Sequence, residues 1–119
     1  MELEAAQQER YARHLILDEF GGEGQERLLA AAVHVRGAGA AAQWAARYLA
    51  VSGIGQLTVD VPAWREELQE LGPWLSLDGP SRSSREVSPR EGASPAESAM
   101  NGAQAALEAV REIARGGQG

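Results

Sequence analysis

Two glycines stand where a segment of strand type meets a segment of helix type. The segment VHVR, residues 33–36, precedes them, and an alanine-rich segment, residues 40–52, follows them. Gly37, Gly39 and Ala42 fit the spacing G-x-G-x-x-G/A, in which small residues let the backbone approach a pyrophosphate at the start of a helix. The pattern predicts a nucleotide cradle, that is, a turn whose backbone amides bind a phosphate. A tight strand–helix turn without a ligand, in which glycines allow close packing, explains the same pattern equally well.

An acid and two histidines complete the candidates for chemistry. Asp60 lies in the second strand-type segment, residues 56–61, at a distance that suits an acid bonding a ribose hydroxyl. His14 and His34 lie far apart, without the spacing of metal ligands. Positions on a helix surface and on a sheet face therefore suit the two histidines better than a metal site does.

The side chains that the sequence lacks exclude several kinds of site. The 119 residues contain no cysteine, which excludes disulfides, thiolate zinc sites and cysteine nucleophiles. All eleven basic residues are arginine, so no lysine can neutralise a phosphate. The net charge of −6 argues against binding to nucleic acid or to an anionic membrane. The acidic N-terminus lacks the apolar core of a signal peptide, and we expect a cytoplasmic protein.

The glycine turn lies in a strand–helix–strand unit. Residues 33–36 and 56–61 predict the strands, and the alanine-rich segment between them predicts a helix that ends at Gly53. Such a unit has parallel strands and a right-handed connection. Two more helices, over residues 3–16 and in GQERLLAAA, are predicted before the first strand. One small domain over residues 1–119 is expected to contain all these elements.

The second half of the chain predicts two helices and a linker. Pro62 is well placed to start a helix over WREELQEL, and Gly72 ends it. Residues 76–92 are rich in Ser, Pro, Arg and Gly, which predicts a flexible linker. Ser94-Pro95-Ala96-Glu97 has the pattern of a capping box and predicts a closing helix that runs to about Arg115.

Both predicted strands alternate between apolar and polar residues. Val33 and Val35 are expected to share one face with Leu57, whereas strands covered by helices on both faces are apolar throughout. Arg36 and Asp60 are candidates for an ion pair across the polar face. The fold class predicted is α/β: a reduced Rossmann-like βαβ unit with flanking N-terminal helices and a C-terminal helix, the helices lying mainly on one face.

Several short motifs occur once each, in a fixed order along the chain. They are Arg10-Tyr11-Ala12-Arg13-His14, Glu23-Gly24-Gln25, Gly37-Ala38-Gly39, and the run from Tyr48-Leu49-Ala50 to Gly53-Ile54-Gly55-Gln56-Leu57. In this order they resemble the start of the ThiF/MoeB/HesA family, relatives of ubiquitin-activating enzymes. The ending NGAQAALEAVREIARG is similar to the closing helix of that family. The resemblance covers about half of the chain, at its two ends.

The resemblance implies an ATP-binding Rossmann-like domain that is generally dimeric. It implies activation of the C-terminal glycine of a ubiquitin-like or sulfur-carrier protein as an acyl-adenylate. Gly37 and Gly39 would then flank the nucleotide, and Arg13 would match an arginine that reaches toward phosphates across the dimer. The rigid donors of a guanidinium suit that contact.

The chain departs from the family pattern where the chemistry is most demanding. Gly39-Ala40-Ala41-Ala42 stands where the family has G-G-x-G, and the added methyl groups narrow the space for phosphates. Val61 and Ala63 stand at the positions of two family acids, and Asp60 falls one residue early, which turns it to the opposite face. The family's phosphate lysine, metal-binding aspartate and zinc cysteines have no counterpart. The resemblance is therefore to a truncated, degenerate member.

These features favour a binding or accessory subunit for a ubiquitin-like or sulfur-carrier protein, or for a complete family enzyme. Two alternatives stay open: ATP-dependent adenylation of such a carrier, and simple dinucleotide binding at the Gly37 turn. Adenylation needs fixed cations beside the phosphates, and this chain offers only arginines. A core this small also favours a homodimer, with the N-terminal helices or the closing helix at the interface.

Overall fold

The computed structural model describes residues 22–77 and 85–116. The predicted helix over residues 3–16, and Arg13 with it, lies outside the described residues. In chain order the elements are α1 (residues 22–30), β1 (Ala32–Val35), α2 (Ala40–Ser52), β2 (Gln56–Val59), the 3-10 turn Pro62–Trp64, α3 (Arg65–Leu71), β3 (Arg85–Val87) and α4 (Pro95–Ala114). The predicted α/β class is confirmed.

β1 is the central strand of a parallel sheet in the order β2-β1-β3. Val33 is aligned with Leu57 on one side and with Arg85 on the other. The predicted β1-α2-β2 unit is therefore present. The sequence does not predict β3, because its three residues lie within the polar segment 76–92 and are too few to show an alternating pattern.

One face of the sheet forms the floor of the apolar core. The buried side chains on this face are Val33, Val35, Leu57 and Val87. Residues between them form a less buried, polar row across the three strands: Thr58, His34 and Glu86. The predicted alternation is confirmed, and the apolar cluster joins the first face to the helices through Leu28, Leu49, Leu68 and Val110.

Small residues bring α2 and α4 close together. Ala41 and Ala45 of α2 are fully buried. Gly102 of α4 lies against them, and a Cβ at this position would lie 2.8 Å from Trp44 Cβ and 2.9 Å from Ala45 N. A chain with few aromatic residues therefore fills its core by close approach of two helix backbones rather than with large side chains.

Local sequence signals set the ends of the helices. Gly53 has φ 103° and ends α2 in the left-handed region. Pro62 opens the 3-10 turn that leads into α3. Ser94 Oγ accepts from Glu97 N at 3.1 Å, as the capping box predicts, whereas the Glu97 carboxylate accepts from Ala93 N at 3.2 Å, one residue before the cap.

No helix among residues 22–77 and 85–116 has both the length and the apolar character needed to cross a bilayer. The longest of them, α4, has twenty residues and carries charged side chains along its exposed side.

Candidate functional site

β1 leads into a turn that suits glycine. Gly37 has φ 113°, in the left-handed region that other residues rarely adopt. Its amide donates to Asp60 Oδ2 at 2.9 Å, and a Cβ built on Gly37 would lie 3.4 Å from Ala42 Cβ. Three of the residues predicted for the nucleotide cradle, Gly37, Ala42 and Asp60, therefore meet at this turn.

Asp60 uses both carboxylate oxygens inside the chain. Oδ1 accepts from His34 Nε2 at 2.7 Å, while Oδ2 accepts from the Gly37 amide. The Gly37 amide first, and the His34 ring second, lower the pKa of Asp60 below its ordinary value of 3.8. Through these two hydrogen bonds, the Asp60 carboxylate after β2 is connected to β1 and to the turn that follows it. A contact between Asp60 and a ribose stays a prediction.

The predicted ion pair of Arg36 with Asp60 is wrong. Arg36 Nη1 donates instead to Glu86 Oε2 at 3.0 Å, and both side chains are more than half exposed. The cause is β3, which the sequence did not predict and which brings Glu86 beside Arg36. Asp60 is held at the glycine turn by the two contacts described above.

The first turn of α2 has no cap of its own. Gly39 precedes the helix with extended backbone, φ −90° and ψ −176°, and offers no side-chain acceptor. No acidic residue lies in the first turn. Because a helix start leaves amides without partners inside the helix, the donors of Ala41 and Ala42 require an acceptor from elsewhere.

Glu91, from the segment between β3 and α4, supplies that acceptor. Its Oε1 accepts from Ala41 N at 2.9 Å, and its Oε2 accepts from Ala42 N at 3.4 Å. The carboxylate also occupies the space beside Gly39, where a Cβ would overlap it. The small residues of the G-x-G turn thus leave room for a carboxylate of the chain itself, and nucleotide binding at the turn stays a prediction.

Both neighbours of Glu91 are held by α4. Asn101 Nδ2 donates to the Arg90 carbonyl oxygen at 2.9 Å. The Gly92 amide donates to Ser98 Oγ at 2.8 Å, and Ser98 is buried. These contacts fix the backbone on either side of Glu91 and aim its side chain at the start of α2.

The position of Glu91 is the one that ligands take in open α/β sheets. The order β2-β1-β3 places the strands that follow β1 on opposite sides of it, so the crevice beside the end of β1 is a topological switch point. Sequence reasoning missed Glu91 because 50 positions separate it from Ala41 and no local pattern links the two.

A nucleotide phosphate does not fit the cradle while Glu91 lies there. The carboxylate takes the two helix-terminal amides that a phosphate would use, and it adds a negative charge at the same place. Over residues 22–77 and 85–116, no group of three or more His, Cys, Asp or Glu side chains is placed to hold a metal ion.

A parallel sheet with a glycine turn after its central strand, and a helix start that faces an anion, define the Rossmann-like class of nucleotide-handling domains. Within that class, residues 11–60 match the model of the ThiF family. The recognition made from the sequence motifs is thereby confirmed.

Three curated relatives match about half of the chain or somewhat less. The SAMP-activating enzyme E1 of Haloferax volcanii is 51% identical over 59 residues, which cover 50% of this chain and 22% of the relative. The vegetative HesA protein of Trichormus variabilis is 47% identical over 55 residues, covering 46% and 21%. The adenylyltransferase and sulfurtransferase MOCS3-1 of Zea mays is 46% identical over 50 residues, covering 42% and 11%. The matched stretch is less than a quarter of each relative's length.

Solved structures extend the likeness of fold to more of the chain. The E. coli tRNA N6-threonylcarbamoyladenosine dehydratase TcdA aligns with a TM-score of 0.56 at 15% identity, over 76% of this chain and 54% of that one. A second TcdA structure aligns with a TM-score of 0.51 at 17% identity. At these identities the likeness concerns the fold alone.

Proposed function

We propose that this chain is a binding or accessory member of the ThiF family rather than a self-sufficient adenylating enzyme. Its partner would be a ubiquitin-like or sulfur-carrier protein, or a complete enzyme of the family. The names of the relatives, a SAMP-activating enzyme and an adenylyltransferase among them, support a role in handling carrier proteins. The observation that supports an accessory role is the Glu91 carboxylate at the start of α2.

The negative charge of Glu91 at this position supports the accessory role over the adenylating role. Acyl adenylation builds negative charge on the α-phosphate and the leaving pyrophosphate, and the site must offset that charge with fixed cations. Two like unit charges about 4 Å apart repel by about 4 kcal/mol at an effective dielectric constant of about 20. One hydrogen bond to a charged group contributes about 1.5–3 kcal/mol net, which is less than that repulsion. With Glu91 in the cradle and no lysine in the chain, phosphate binding there is unfavourable.

The surface of the Rossmann-like β1-α2-β2 unit can act without a nucleotide. The β1-α2-β2 unit keeps its glycine turn and its close helix packing even though the cradle holds a carboxylate. We propose that this surface docks a protein partner. The homodimer, the contact of Arg13 across it and the cytoplasmic location stay predictions.

Two measurements test the accessory role. Calorimetry with a ubiquitin-like carrier that keeps its C-terminal glycine is expected to show binding that does not depend on ATP, and the same carrier without that glycine is the control. ATP–pyrophosphate exchange with the carrier is expected to stay at the level of the assay without protein. Exchange that depends on both ATP and carrier, and that Arg13→Ala abolishes, would establish an adenylating enzyme and contradict the proposal.

A further inference from the structure

We propose that Glu91 is a built-in substitute for a phosphate group, and that the start of α2 is an anion site which the chain fills with its own carboxylate. The inference rests on the proposed function, in which this chain uses no nucleotide at the turn. In this chain the Glu91 carboxylate takes the place of the nucleotide phosphate. Once that carboxylate is removed, the start of α2 binds a small oxyanion such as pyrophosphate.

The geometry of the contact is that of a bound oxyanion. Two oxygens on one planar group accept from two successive amides, Ala41 N at 2.9 Å and Ala42 N at 3.4 Å. Gly39 has no Cβ, and the carboxylate lies in the space that this leaves. Helix-terminal amides together with a glycine that permits close approach are the features by which Rossmann-like turns hold phosphate.

The helix requires an acceptor at this place for its own stability. Ala41 and Ala42 are 0% and 1% exposed, and Glu91 covers their amides from the solvent side, where Ala40 and Glu91 itself are exposed. Gly39 offers no cap, and the first turn has no acid of its own. Removal of the Glu91 carboxylate therefore leaves two donors that another anion can satisfy.

The carboxylate reaches the site because the fold delivers it. β3 pairs with β1 and carries the chain along the crevice, and the contacts of Asn101 and Ser98 fix the residues on either side of Glu91. As long as this segment is docked, the crevice has room for one anion. Occupation by Glu91 and occupation by a phosphate are mutually exclusive.

Thermal unfolding of Glu91→Ala, with and without pyrophosphate at constant ionic strength, tests the inference. The matched control is Glu108→Ala, which removes an exposed glutamate of α4. The loss of a helix cap is expected to lower the Tm of Glu91→Ala by about 5 °C. Pyrophosphate at about five times its Kd is expected to restore about 4 °C in Glu91→Ala only, and to leave the wild type and Glu108→Ala unchanged.

Three results overturn the inference. In the first, Glu91→Ala is as stable as Glu108→Ala, so the carboxylate caps nothing. In the second, pyrophosphate stabilises the wild type as much as Glu91→Ala, so the carboxylate blocks nothing. In the third, Glu91→Ala loses stability and pyrophosphate restores none of it, so the helix start is not an anion site.

A second variant covers the case in which Glu91→Ala does not fold. Glu91→Gln keeps the volume of the side chain and removes its charge. The backbone amide resonances of Ala41 and Ala42 are expected to move in Glu91→Gln and to stay in place in Glu108→Gln. Unmoved resonances in Glu91→Gln overturn the inference.

Failure of this inference can be told apart from failure of the proposed function. The unfolding measurements use variants of Glu91 and no carrier protein, whereas the exchange assay uses the wild type with its carrier. Exchange activity contradicts the accessory role, and an unsuccessful recovery by pyrophosphate contradicts the anion site only.

Discussion

Two carboxylates accept hydrogen bonds from backbone amides at the glycine turn. One lies 23 positions from its amide in the sequence and the other lies 50 positions from its amide. Asp60 follows β2 directly and bonds the Gly37 amide and the His34 ring. Glu91 comes from beyond β3 and bonds the first turn of α2. Together they satisfy three backbone donors of the turn from inside the chain, the amides of Gly37, Ala41 and Ala42.

Asp60→Asn is expected to destabilise the fold in a manner that depends on pH. Because the pKa of Asp60 is lower in the folded chain than its ordinary value of 3.8, the ionised carboxylate stabilises the fold above that value. The contribution disappears as the pH falls through the lowered pKa. We expect a loss of about 1 kcal/mol near neutral pH, less than the usual value for a charged hydrogen bond because the side chain is 40% exposed and screened by water.

Urea unfolding of the wild type and of Asp60→Asn at several pH values measures this difference. Glu108→Gln, which changes an exposed glutamate, is the control and is expected to differ little from the wild type. A difference between wild type and Asp60→Asn that stayed constant, or grew, below pH 3.8 would show that the carboxylate does not act through its charge.

At the scale of elements, the fold depends on the contact between α2 and α4. Gly102 is buried against Trp44 and Ala45, and a Cβ there would press on the backbone of α2. The same contact matters for the candidate site, since α4 also carries Asn101 and Ser98, which fix the neighbours of Glu91. The packing of α4 therefore positions the carboxylate at the start of α2.

Gly102→Ala is expected to lower the free energy of unfolding by about 2 kcal/mol. Overpacking a tight contact costs about 1–3 kcal/mol, which outweighs the gain of up to about 1 kcal/mol in helix propensity. Gly22→Ala is the matched control, because a Cβ at Gly22 has nothing within 4 Å. Denaturant unfolding checks both, and equal stability of the two variants would disprove the close helix contact.

Local patterns predicted the elements that depend on nearby residues. The glycine turn, α2 with its end at Gly53, and the start of α4 at Ser94 follow from glycine conformation and capping chemistry. β3 and Glu91 could not be predicted in this way. Their places depend on pairing with β1 and on contacts across 50 positions, which a single sequence does not display.

At the scale of the whole molecule, a ThiF-type scaffold is combined with a cradle that already holds an anion. Residues 11–60 carry the family pattern, while the segment from β3 to α4 carries the residue that fills the cradle. On the proposed function, this arrangement keeps the fold while the Glu91 carboxylate takes the place of a nucleotide phosphate. It predicts that the wild-type chain does not bind ATP at the turn.

A titration of the ¹⁵N-labelled wild-type chain with ATP and Mg²⁺ tests this claim most directly, through the backbone amide resonances of Gly39, Ala41 and Ala42. We predict that these three resonances stay in place up to about 5 mM ATP, which is above the usual range of enzyme KM values. A saturable movement of the Ala41 and Ala42 resonances in the wild type would show a nucleotide at the start of α2, and would contradict the account.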